Sequence, residues 1–185
     1  SMIEEARRRG ALISYKATEE GEEPYEINTT WWSAIDRGDE NEEMTFRVQR
    51  YVASRSLALV IKGVPGIYTH GAMALPSDHA LAERTGVRRD VNRGPIDPAM
   101  FSRELENPQS KRSILSGMLF RVDRARTHCR AFHPHGKQQI LQISPDVFTV
   151  VRVSPEGQQF VVTLTNVTDH TVTVEIELIA LEQTE

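Results

Sequence analysis

The chain has 185 residues, of which 39% are hydrophobic and 26% charged, and this composition excludes disorder, collagen and coiled coil. A chain of this length can bury a core without disulfides or metals and suits one domain of ordinary size. Its 22 Lys and Arg against 26 Asp and Glu give a net charge of −4, so no nucleic-acid partner is expected.

No apolar run approaches the ~20 residues that a membrane span needs, so no membrane partner is expected. The lone cysteine, Cys129, allows no disulfide within the chain. Residues 1–10 are too charged for a secretory signal peptide. Together these features predict a protein of the reducing cytoplasm.

The first two thirds of the chain show helical periodicity between polar segments. The helix signal is strongest over residues 42–61, where apolar residues cover a broad face. Periodicity or capping signals predict further helical segments over residues 3–10, 78–83 and 109–128, and another that begins at Asp97 and Pro98. Between them the sequence predicts extended pieces at residues 12–15 and 67–69, acidic loops at 16–24 and 36–43, and a long loop over 71–95.

The last third of the chain is rich in Val, Ile, Thr and Phe and predicts a small antiparallel sheet. Alternating or apolar runs predict strands over residues 139–142, 147–153, 158–164 and 171–179. Residues 154–157, Ser-Pro-Glu-Gly, predict a hairpin turn between two of them. As an isolated chain the predicted fold class is therefore α+β. The change in composition near residue 130 predicts a division into residues 1–130 and residues 131–185.

One cluster holds four potential metal ligands within a short segment: His128, Cys129, His133 and His135. Their spacing matches no two-plus-two zinc pattern, so a structural or surface role is favoured over a metal site. Neither a metal nor another cofactor is predicted.

A basic cluster and a tryptophan pair also have two interpretations each. The cluster consists of Arg121, Arg124, Arg126 and Arg130. It predicts a solvated helix face, with phosphate binding as the alternative.

Trp31 and Trp32 could form a platform for a sugar ring, but one buried and one half-exposed ring is the favoured interpretation.

Four segments, in order along the chain, carry a resemblance to a known family. Residues 25–30, Tyr-Glu-Ile-Asn-Thr-Thr, resemble the Tyr-Gln-Val-Asn-x-Thr loop of the sucrose phosphorylase subfamily of the alpha-amylase family of glycoside hydrolases. Residues 63–68, Gly-Val-Pro-Gly-Ile-Tyr, are similar to that family's motif at its eighth barrel strand. Residues 89–93, Arg-Asp-Val-Asn-Arg, look like the subfamily's Arg-Asp-Ile-Asn-Arg segment, and residues 131–134 with the β-rich tail resemble its C-terminal end.

The resemblance covers essentially the whole chain and implies a place in a larger fold. Such enzymes have a (β/α)₈ barrel followed by a C-terminal antiparallel β domain. Residues 1–130 would supply the last helices and strand of the barrel, with the excursion after its seventh strand. Residues 42–61 and 109–128 would be its seventh and eighth helices, and 66–69 its eighth strand. Residues 131–185 would be the β domain.

The resemblance also implies a reaction and two substrates. These enzymes transfer a glucosyl unit from an α-glucoside to phosphate, with retention, through a glucosyl-enzyme intermediate. The motifs of the nucleophile, the acid/base and the stabilising Asp do not occur in this sequence. The chain therefore holds no predicted catalytic residue, and alone it is expected to be inactive.

By the same resemblance, five residues are candidates for substrate binding. Arg93 matches the arginine at the bottom of the glucose pocket, although a salt bridge to Asp90 is the structural alternative. Tyr25 and Glu26 match the loop that shapes the phosphate and leaving-group site. His70 and Asp78 are weaker candidates on the same face.

Glu26 stands where sucrose phosphorylase proper has Gln, and this difference bears on the substrate. A carboxylate 4 Å from a phosphate oxygen would repel it by ~1 kcal/mol in water, or ~4 kcal/mol at an effective dielectric constant of 20. Either Glu26 turns away, or it binds hydroxyls of a different leaving group. Glucosylglycerate, glucosylglycerol and sucrose 6-phosphate are therefore candidates beside sucrose.

The alternative to an enzyme fragment is a non-catalytic, β-rich binding or oligomerisation module. A partial barrel exposes strand edges and an apolar inner face, and both features promote self-association. On this hypothesis the chain forms a homo-oligomer through residues 44–68.

Overall fold

The computed structural model describes residues 1–176, and it is an α+β structure with two small antiparallel sheets. The α-helices are α1 Met2–Arg8, α2 Trp31–Ile35, α3 Met44–Val60, α4 Thr69–Ala72, α5 His79–Thr85, α6 Pro98–Glu106 and α7 Lys111–His128. The strands are β1 Leu12–Thr18, β2 Gly21–Asn28, β3 Lys137–Ser144, β4 Val147–Val153 and β5 Phe160–Asn166, and 3₁₀ helices cover Arg88–Asn92 and Arg130–Phe132. None of the described helices has the length and apolar character of a membrane span.

The chain divides into two compact units, here called the first and the second unit. Among the described residues, the first contains residues 1–51 and 67–117, and the second contains residues 52–66 and 118–176. Both α3 and α7 contribute residues to each unit. The predicted division at residue 130 stays a prediction.

Local signals account for most helix ends in the first unit. Asp78 accepts a hydrogen bond from the backbone N of Leu81 at 2.8 Å and so caps α5. Asp97 caps α6 through the backbone N of Ala99 at 2.9 Å, with Pro98 in the first turn. A side-chain oxygen at these positions satisfies backbone N–H groups that lack a partner inside the helix.

The prediction of an acidic loop over residues 16–24 is wrong, because these residues belong to the hairpin of β1 and β2. Leu12 pairs with Asn28 and Thr18 with Gly21 in an antiparallel ladder, with an irregularity after Ser14. Residues 21–25 are exposed. Because an exposed strand buries neither face, its sequence lacks the alternation of apolar and polar residues that indicates a strand. This part of β2 is held by its backbone hydrogen bonds to β1.

Aromatic residues form the centre of the first unit. Trp32 and Tyr51 pack with their ring centroids 5.4 Å apart, and the Tyr51 hydroxyl donates a hydrogen bond to the carbonyl of Gly71. Trp32 is 6% exposed and Trp31 is 45% exposed, which confirms the prediction of one buried and one half-exposed ring. This core holds α4 in place. The long loop predicted over residues 71–95 therefore contains the end of α4, α5 and the Arg88–Asn92 3₁₀ helix.

The predicted strand over residues 67–69 is not formed. Residues 64–68 have no regular secondary structure, and Thr69 begins α4. Val64 is 83% exposed, and Ile67 and Tyr68 are also exposed. Within the described residues the two sheets consist of β1–β2 and β3–β4–β5, so this segment has no neighbouring strand to satisfy its backbone groups.

The second unit contains a three-stranded antiparallel sheet in the order β3-β4-β5. It confirms three of the predicted strands and the turn at residues 154–157. Gly157 adopts φ +72°, and the Ser154 side-chain oxygen accepts hydrogen bonds from the backbone N of Gln158 and Gln159, both at 3.2 Å. The fourth predicted strand, over residues 171–179, extends outside the described residues.

Two arginines of the second unit bind carbonyls at the C-terminal end of α3. Arg126 donates to the carbonyl of Leu59 and, at 3.0 Å, to that of Gly63. Arg152 donates to the carbonyl of Val60 at 3.1 Å. The last carbonyls of a helix lack partners within it, and guanidinium groups supply them here.

The basic cluster is therefore only partly a solvated helix face. Arg121, Arg124 and Arg130 are exposed, and Arg130 forms an ion pair with Glu156. For Arg126 the prediction is wrong, because its guanidinium is half-buried and burial lowers its pKa. Its carbonyl partners lie more than 60 residues away in sequence, as the separations of 67 and 63 residues show.

Candidate functional site

A cleft of about 460 Å³ lies in the first unit, between the β1–β2 hairpin and the Arg88–Asn92 3₁₀ helix. The hairpin lines it with Ser14, Tyr15, Tyr25 and Glu26, and the opposite wall consists of Gly86, Val87, Arg88 and Arg89. The cleft is open to solvent and mainly polar, so it suits a small hydrophilic ligand.

Local geometry explains how both walls are positioned. Ser14 and Glu26 are register partners in the β1–β2 ladder, so the hairpin holds the Glu26 backbone. Gly86 ends α5 with φ +69°, a left-handed conformation that glycine adopts without steric cost. The chain therefore reverses at the end of α5 and places Arg88 and Arg89 opposite the hairpin.

Glu26 and Arg89 join the two walls of the cleft. Arg89 Nε lies 2.9 Å from Glu26 Oε1 and 2.9 Å from Glu26 Oε2. The hydrogen bonds that Arg89 donates to the Glu26 carboxylate raise the pKa of the Arg89 guanidinium. The Glu26 carboxylate is thus paired with a cation, and its charge is largely compensated on the side that faces the 3₁₀ helix.

Arg93 lies at the end of the same 3₁₀ helix but does not line the cleft. Its Nη1 is 3.0 Å from Asp90 Oδ1, so the salt bridge considered as the structural alternative is present. The Arg93 side chain is 59% exposed, whereas that of Asp90 is 17% exposed. An exposed ion pair contributes little to stability, so this contact leaves Arg93 available for a ligand.

His70 lies against residues 92–94. Its ring stacks on Tyr68 with centroids 5.0 Å apart, and its Nε2 is 2.9 Å from the carbonyl O of Gly94. Because a carbonyl only accepts, Nε2 carries the proton in this contact and Nδ1 of the neutral ring is an acceptor. Nδ1 is buried without a hydrogen-bond partner among the described residues, and so is Oδ1 of Asn92.

Asp78 has structural partners in the same region. Besides capping α5, its backbone N donates to the carbonyl of Val91 at 2.8 Å. Gly94 lies close to it: a Cβ at Gly94 would be 3.2 Å from Asp78 Cβ. The structure therefore groups Tyr25 with Glu26 in the cleft and places Arg93, His70 and Asp78 around residues 90–94.

Sequence reasoning missed Arg88, Arg89 and Asn92 as members of the site. Arg89 and Asn92 stood within the recognised motif, and the adjacent arginines at 88 and 89 were a visible signal of local positive charge. What the sequence did not reveal was the partner of Arg89, because Glu26 is 63 residues away.

The histidine cluster near residue 130 does not assemble a metal site in the structure. Within residues 1–176, no group of three or more His, Cys, Asp and Glu is placed to hold a metal ion. The rings of His133 and His135 lie 5.4 Å apart, and the backbone N of His135 donates to His133 Nδ1 at 3.2 Å.

Comparison with known proteins gives a consistent set of relatives, although no protein-family model matches the chain. The chain is 36% identical over 167 residues to a glucosylglycerate phosphorylase of Spirochaeta thermophila, covering 90% of this chain and 28% of that protein. It is 32% identical over 169 residues to a glucosylglycerate phosphorylase of Allomeiothermus silvanus, covering 91% of this chain and 30% of that protein. It is also 32% identical over 87 residues to a sucrose phosphorylase of Bifidobacterium adolescentis, covering 47% of this chain and 16% of that protein.

One solved structure shares the fold. The crystal structure of sucrose 6F-phosphate phosphorylase from Thermoanaerobacter thermosaccharolyticum aligns with a TM-score of 0.60 and 18% identity, covering 89% of this chain and 33% of that chain. At this identity the likeness concerns the fold alone. The chain spans only 28% and 30% of the length of the two glucosylglycerate phosphorylases.

Proposed function

We propose that this chain is the C-terminal portion of a retaining phosphorylase in the cytoplasm. It is a homologue of glucosylglycerate and sucrose phosphorylases, in agreement with the resemblance of its motifs to the sucrose phosphorylase subfamily. The longer protein would transfer a glucosyl unit from an α-glucoside to phosphate. In this proposal residues 1–130 complete the (β/α)₈ barrel and residues 131–185 form the β domain. The extent of the matches, which cover most of this chain but a minor part of each relative, supports it.

The observation that carries the proposal is the contact between two recognised motifs. Glu26 belongs to the first motif and Arg89 to another, and their ion pair brings segments 63 residues apart to one cleft. In barrels of this kind the active site is formed by loops at the C-terminal ends of the strands. If the motifs of Glu26 and Arg89 both belong to such loops, one active site explains why they contact each other.

Different residues in and near the cleft would bind different parts of the substrate. Arg93, with donors only, would bind glucosyl hydroxyl oxygens. Tyr25 and Glu26 would bind the leaving group, and Asp78 would hold α5 in place. The nucleophile, the acid/base and the stabilising carboxylate would come from the rest of the longer protein.

Phosphorolysis assays test this proposal. The purified 185-residue chain is expected to release no glucose 1-phosphate from glucosylglycerate, sucrose, glucosylglycerol or sucrose 6-phosphate. The longer protein is expected to release it from one of them, and Arg93→Ala in that protein should lower kcat/KM at least a hundredfold. An exposed arginine of α6 supplies the control Arg103→Ala, which should leave kcat/KM unchanged.

Two results would contradict the proposal. The first is turnover by the 185-residue chain that is lost in its Arg93→Ala variant, because that chain would then hold the complete catalytic machinery. The second is a longer protein that contains the barrel yet forms no glucose 1-phosphate from any of the four glucosides.

A non-catalytic oligomerisation module is the second candidate, and one observation favours it. Val64, Ile67 and Tyr68 expose apolar side chains in a segment without a strand partner. Exposed apolar surface of this kind is typical of an interface. Light scattering distinguishes the two candidates: a stable dimer that Val64→Asp with Tyr68→Asp converts to a monomer supports the module, and a monodisperse monomer contradicts it.

A further inference from the structure

We propose that Ser77 is a positioning residue for the proposed phosphorolysis, and that its hydroxyl group sets the separation of the two walls of the cleft. Ser77 is not among the residues that line the cleft. It acts through the hairpin on one side and through the Arg88–Asn92 3₁₀ helix on the other. The inference rests on the proposed function, because it names a residue on which that reaction depends without a contact to the substrate.

The hydroxyl group of Ser77 binds the end of the hairpin at two points. Ser77 Oγ accepts a hydrogen bond from the backbone N of Thr30 at 3.0 Å, and it lies 3.2 Å from the hydroxyl oxygen of Thr29. A serine hydroxyl has one donor and two lone pairs, so a single group can make both contacts. Because β2 ends at Asn28, the hydroxyl fixes the point at which the chain leaves the hairpin.

The backbone of Ser77 is bound to the same segment. Its N donates a hydrogen bond to Ser33 Oγ at 2.9 Å. Ser33 Oγ in turn accepts from the hydroxyl of Thr30 at 3.2 Å, and the backbone N of Ser33 donates to Thr30 Oγ1, also at 3.2 Å. Main chain and side chain of Ser77 thus bind one connected set of groups, which fixes the direction as well as the place of the contact.

Buried polar contacts connect the end of the hairpin to Glu26. Asn28 is 1% exposed, and its side-chain nitrogen donates to the carbonyl of Leu12 at 3.1 Å and to Ser14 Oγ at 2.9 Å. Ser14 is also the register partner of Glu26 in the ladder. Breaking a buried hydrogen bond leaves an unsatisfied polar group, which is costly, so Glu26 follows the position of the hairpin end.

The residue that follows Ser77 leads to the other wall of the cleft. The backbone N of Asp78 donates to the carbonyl of Val91 at 2.8 Å, and its carboxylate caps α5 through the backbone N of Leu81. Val91 is 0% exposed and belongs to the 3₁₀ helix that contains Arg89. The position of Ser77 therefore determines where both α5 and this 3₁₀ helix begin relative to the hairpin.

The ion pair across the cleft cannot set the separation of the walls by itself. The side chains of Arg89 and Glu26 are 56% and 28% exposed, and water and salt weaken an exposed pair. Ser77 supplies a less exposed connection, since its partner Thr30 is 6% exposed. A single connection acts as a hinge, whereas two connections at different points fix both the distance and the angle between the walls.

Kinetics of the longer protein test this role. Ser77→Ala is expected to lower kcat/KM for phosphorolysis at least tenfold, because small errors in the alignment of reacting groups slow a reaction strongly. Thr29→Ala removes one contact of the hydroxyl, should lower kcat/KM about threefold, and keeps the test valid if Ser77→Ala disturbs folding. The matched control Ser102→Ala, at an exposed position of α6, should leave kcat/KM unchanged.

A double-mutant cycle separates positioning from a general structural role. If Ser77 acts by aligning the two walls, alignment is already lost once Arg89→Ala breaks the other connection. Ser77→Ala in the Arg89→Ala background should then lower kcat/KM less than twofold further. A residue that only supports the fold would cause the same tenfold loss in both backgrounds.

NMR spectra of the ¹⁵N-labelled 185-residue chain provide a measurement without catalysis. Ser77→Ala should shift the amide signals of residues 25–26 and 87–89, which line the cleft away from the substituted side chain. Ser102→Ala should leave these signals in place.

Three results would overturn the inference: unchanged kcat/KM in both Ser77→Ala and Thr29→Ala, a full tenfold loss in the Arg89→Ala background, or no amide shifts at the two walls. Failure here is distinguishable from failure of the proposed function. Glucose 1-phosphate formation at equal rates by the longer wild-type protein and its Ser77→Ala variant overturns only this inference. Amide shifts at both walls without any phosphorolysis by the longer protein overturn only the function.

Discussion

The hairpin of the first unit and the sheet of the second unit are both antiparallel, yet their surroundings differ. Residues 21–25 of β2 are exposed, whereas five of the seven residues of β4 are buried. The hairpin presents Tyr25 and Glu26 at the cleft, and β4 presents Val150, Val151 and Arg152 to the interior of its unit. The contrast teaches that the residues proposed to bind a ligand lie in an exposed strand with few buried contacts, while buried contacts are concentrated in β4.

The largest effect on this contrast is expected from Arg152→Met. Arg152 is 0% exposed and donates to the carbonyls of Lys137, Val60 and His133 at 3.3, 3.1 and 2.9 Å. Methionine fills much of the volume but removes these donors. The His133 carbonyl keeps the backbone N of Gly136 at 2.9 Å, whereas a buried carbonyl that is left unsatisfied costs ~1–3 kcal/mol. We expect the free energy of unfolding in urea to fall by about 3 kcal/mol or more.

The control for this variant is Arg121→Met, at an exposed position of α7. It removes the same charge and should change the free energy of unfolding by less than about 0.5 kcal/mol. Equal losses from the two variants would mean that burial of the Arg152 contacts is not what stabilises the second unit.

Lys111 is expected to give the next largest effect, through pH. Burial, followed by the neighbouring Arg112, lowers the pKa of Lys111 from 10.5 to about 8. Its Nζ donates to the carbonyl of Ala74 at 2.8 Å and lies 4.3 Å from the centroid of the Trp32 ring. Between pH 8 and pH 10.5 the folded chain releases a proton that the unfolded chain retains, so the free energy of unfolding rises with pH.

Urea unfolding across this pH range measures the effect. The rise is expected to be at most about 3 kcal/mol in the wild-type chain. In Lys111→Met the contribution of this residue should be absent. A wild-type curve that is parallel to that of Lys111→Met over the whole range would contradict the lowered pKa.

A smaller effect is expected from Gly136→Ala, immediately before β3. A Cβ at this position would lie 2.4 Å from the backbone carbonyl O of Val153, so the backbone of the sheet must move. Steric overlap of this kind costs ~1–3 kcal/mol. The matched control is Gly117→Ala in α7, where a Cβ meets nothing within 4 Å and alanine should stabilise the helix by ~0.5–1 kcal/mol. Thermal unfolding should move in opposite directions for the two variants.

The smallest effect on stability is expected at the cleft itself. Arg89→Ala breaks the ion pair with Glu26, but the pair is exposed, so the urea midpoint should stay the same within error. A loss of stability as large as that of Gly136→Ala would remove the contrast between the two regions, because the cleft would then be part of the stabilising structure.

The sequence predicted those elements whose signals are local. The cap at Asp97, the long helices α3 and α7 and the strands β3, β4 and β5 all follow from periodicity or from a side chain within three residues of the group it binds. The extended piece predicted at residues 12–15 is confirmed as the start of β1. The rest of the hairpin, up to residue 28, was missed because an exposed strand carries no alternation. The strand over 67–69 was predicted from apolar residues alone, and apolar residues form a strand only beside a partner.

Residues of the candidate site could be predicted from sequence motifs, but the contacts between these residues could not. Tyr25, Glu26 and Arg93 were predicted from motifs, and Tyr25 and Glu26 line the cleft. The charge environment of Glu26 could not be predicted, because the side chain that pairs with it is Arg89 on another element. The same holds for the buried acceptors His70 Nδ1 and Asn92 Oδ1, whose burial depends on the contact between the His70 ring and residues 92–94.

The sequence by itself determined the relatives of this chain, its α+β class and the positions of its helix caps, since these depend on residue identity and on interactions over a few residues. Tertiary structure alone decided which charges are compensated or buried. Arg89 pairs with Glu26, and Arg126 and Arg152 donate to the α3 carbonyls of Leu59 and Val60, because electrostatic and desolvation energies depend on distances between groups that are far apart along the chain.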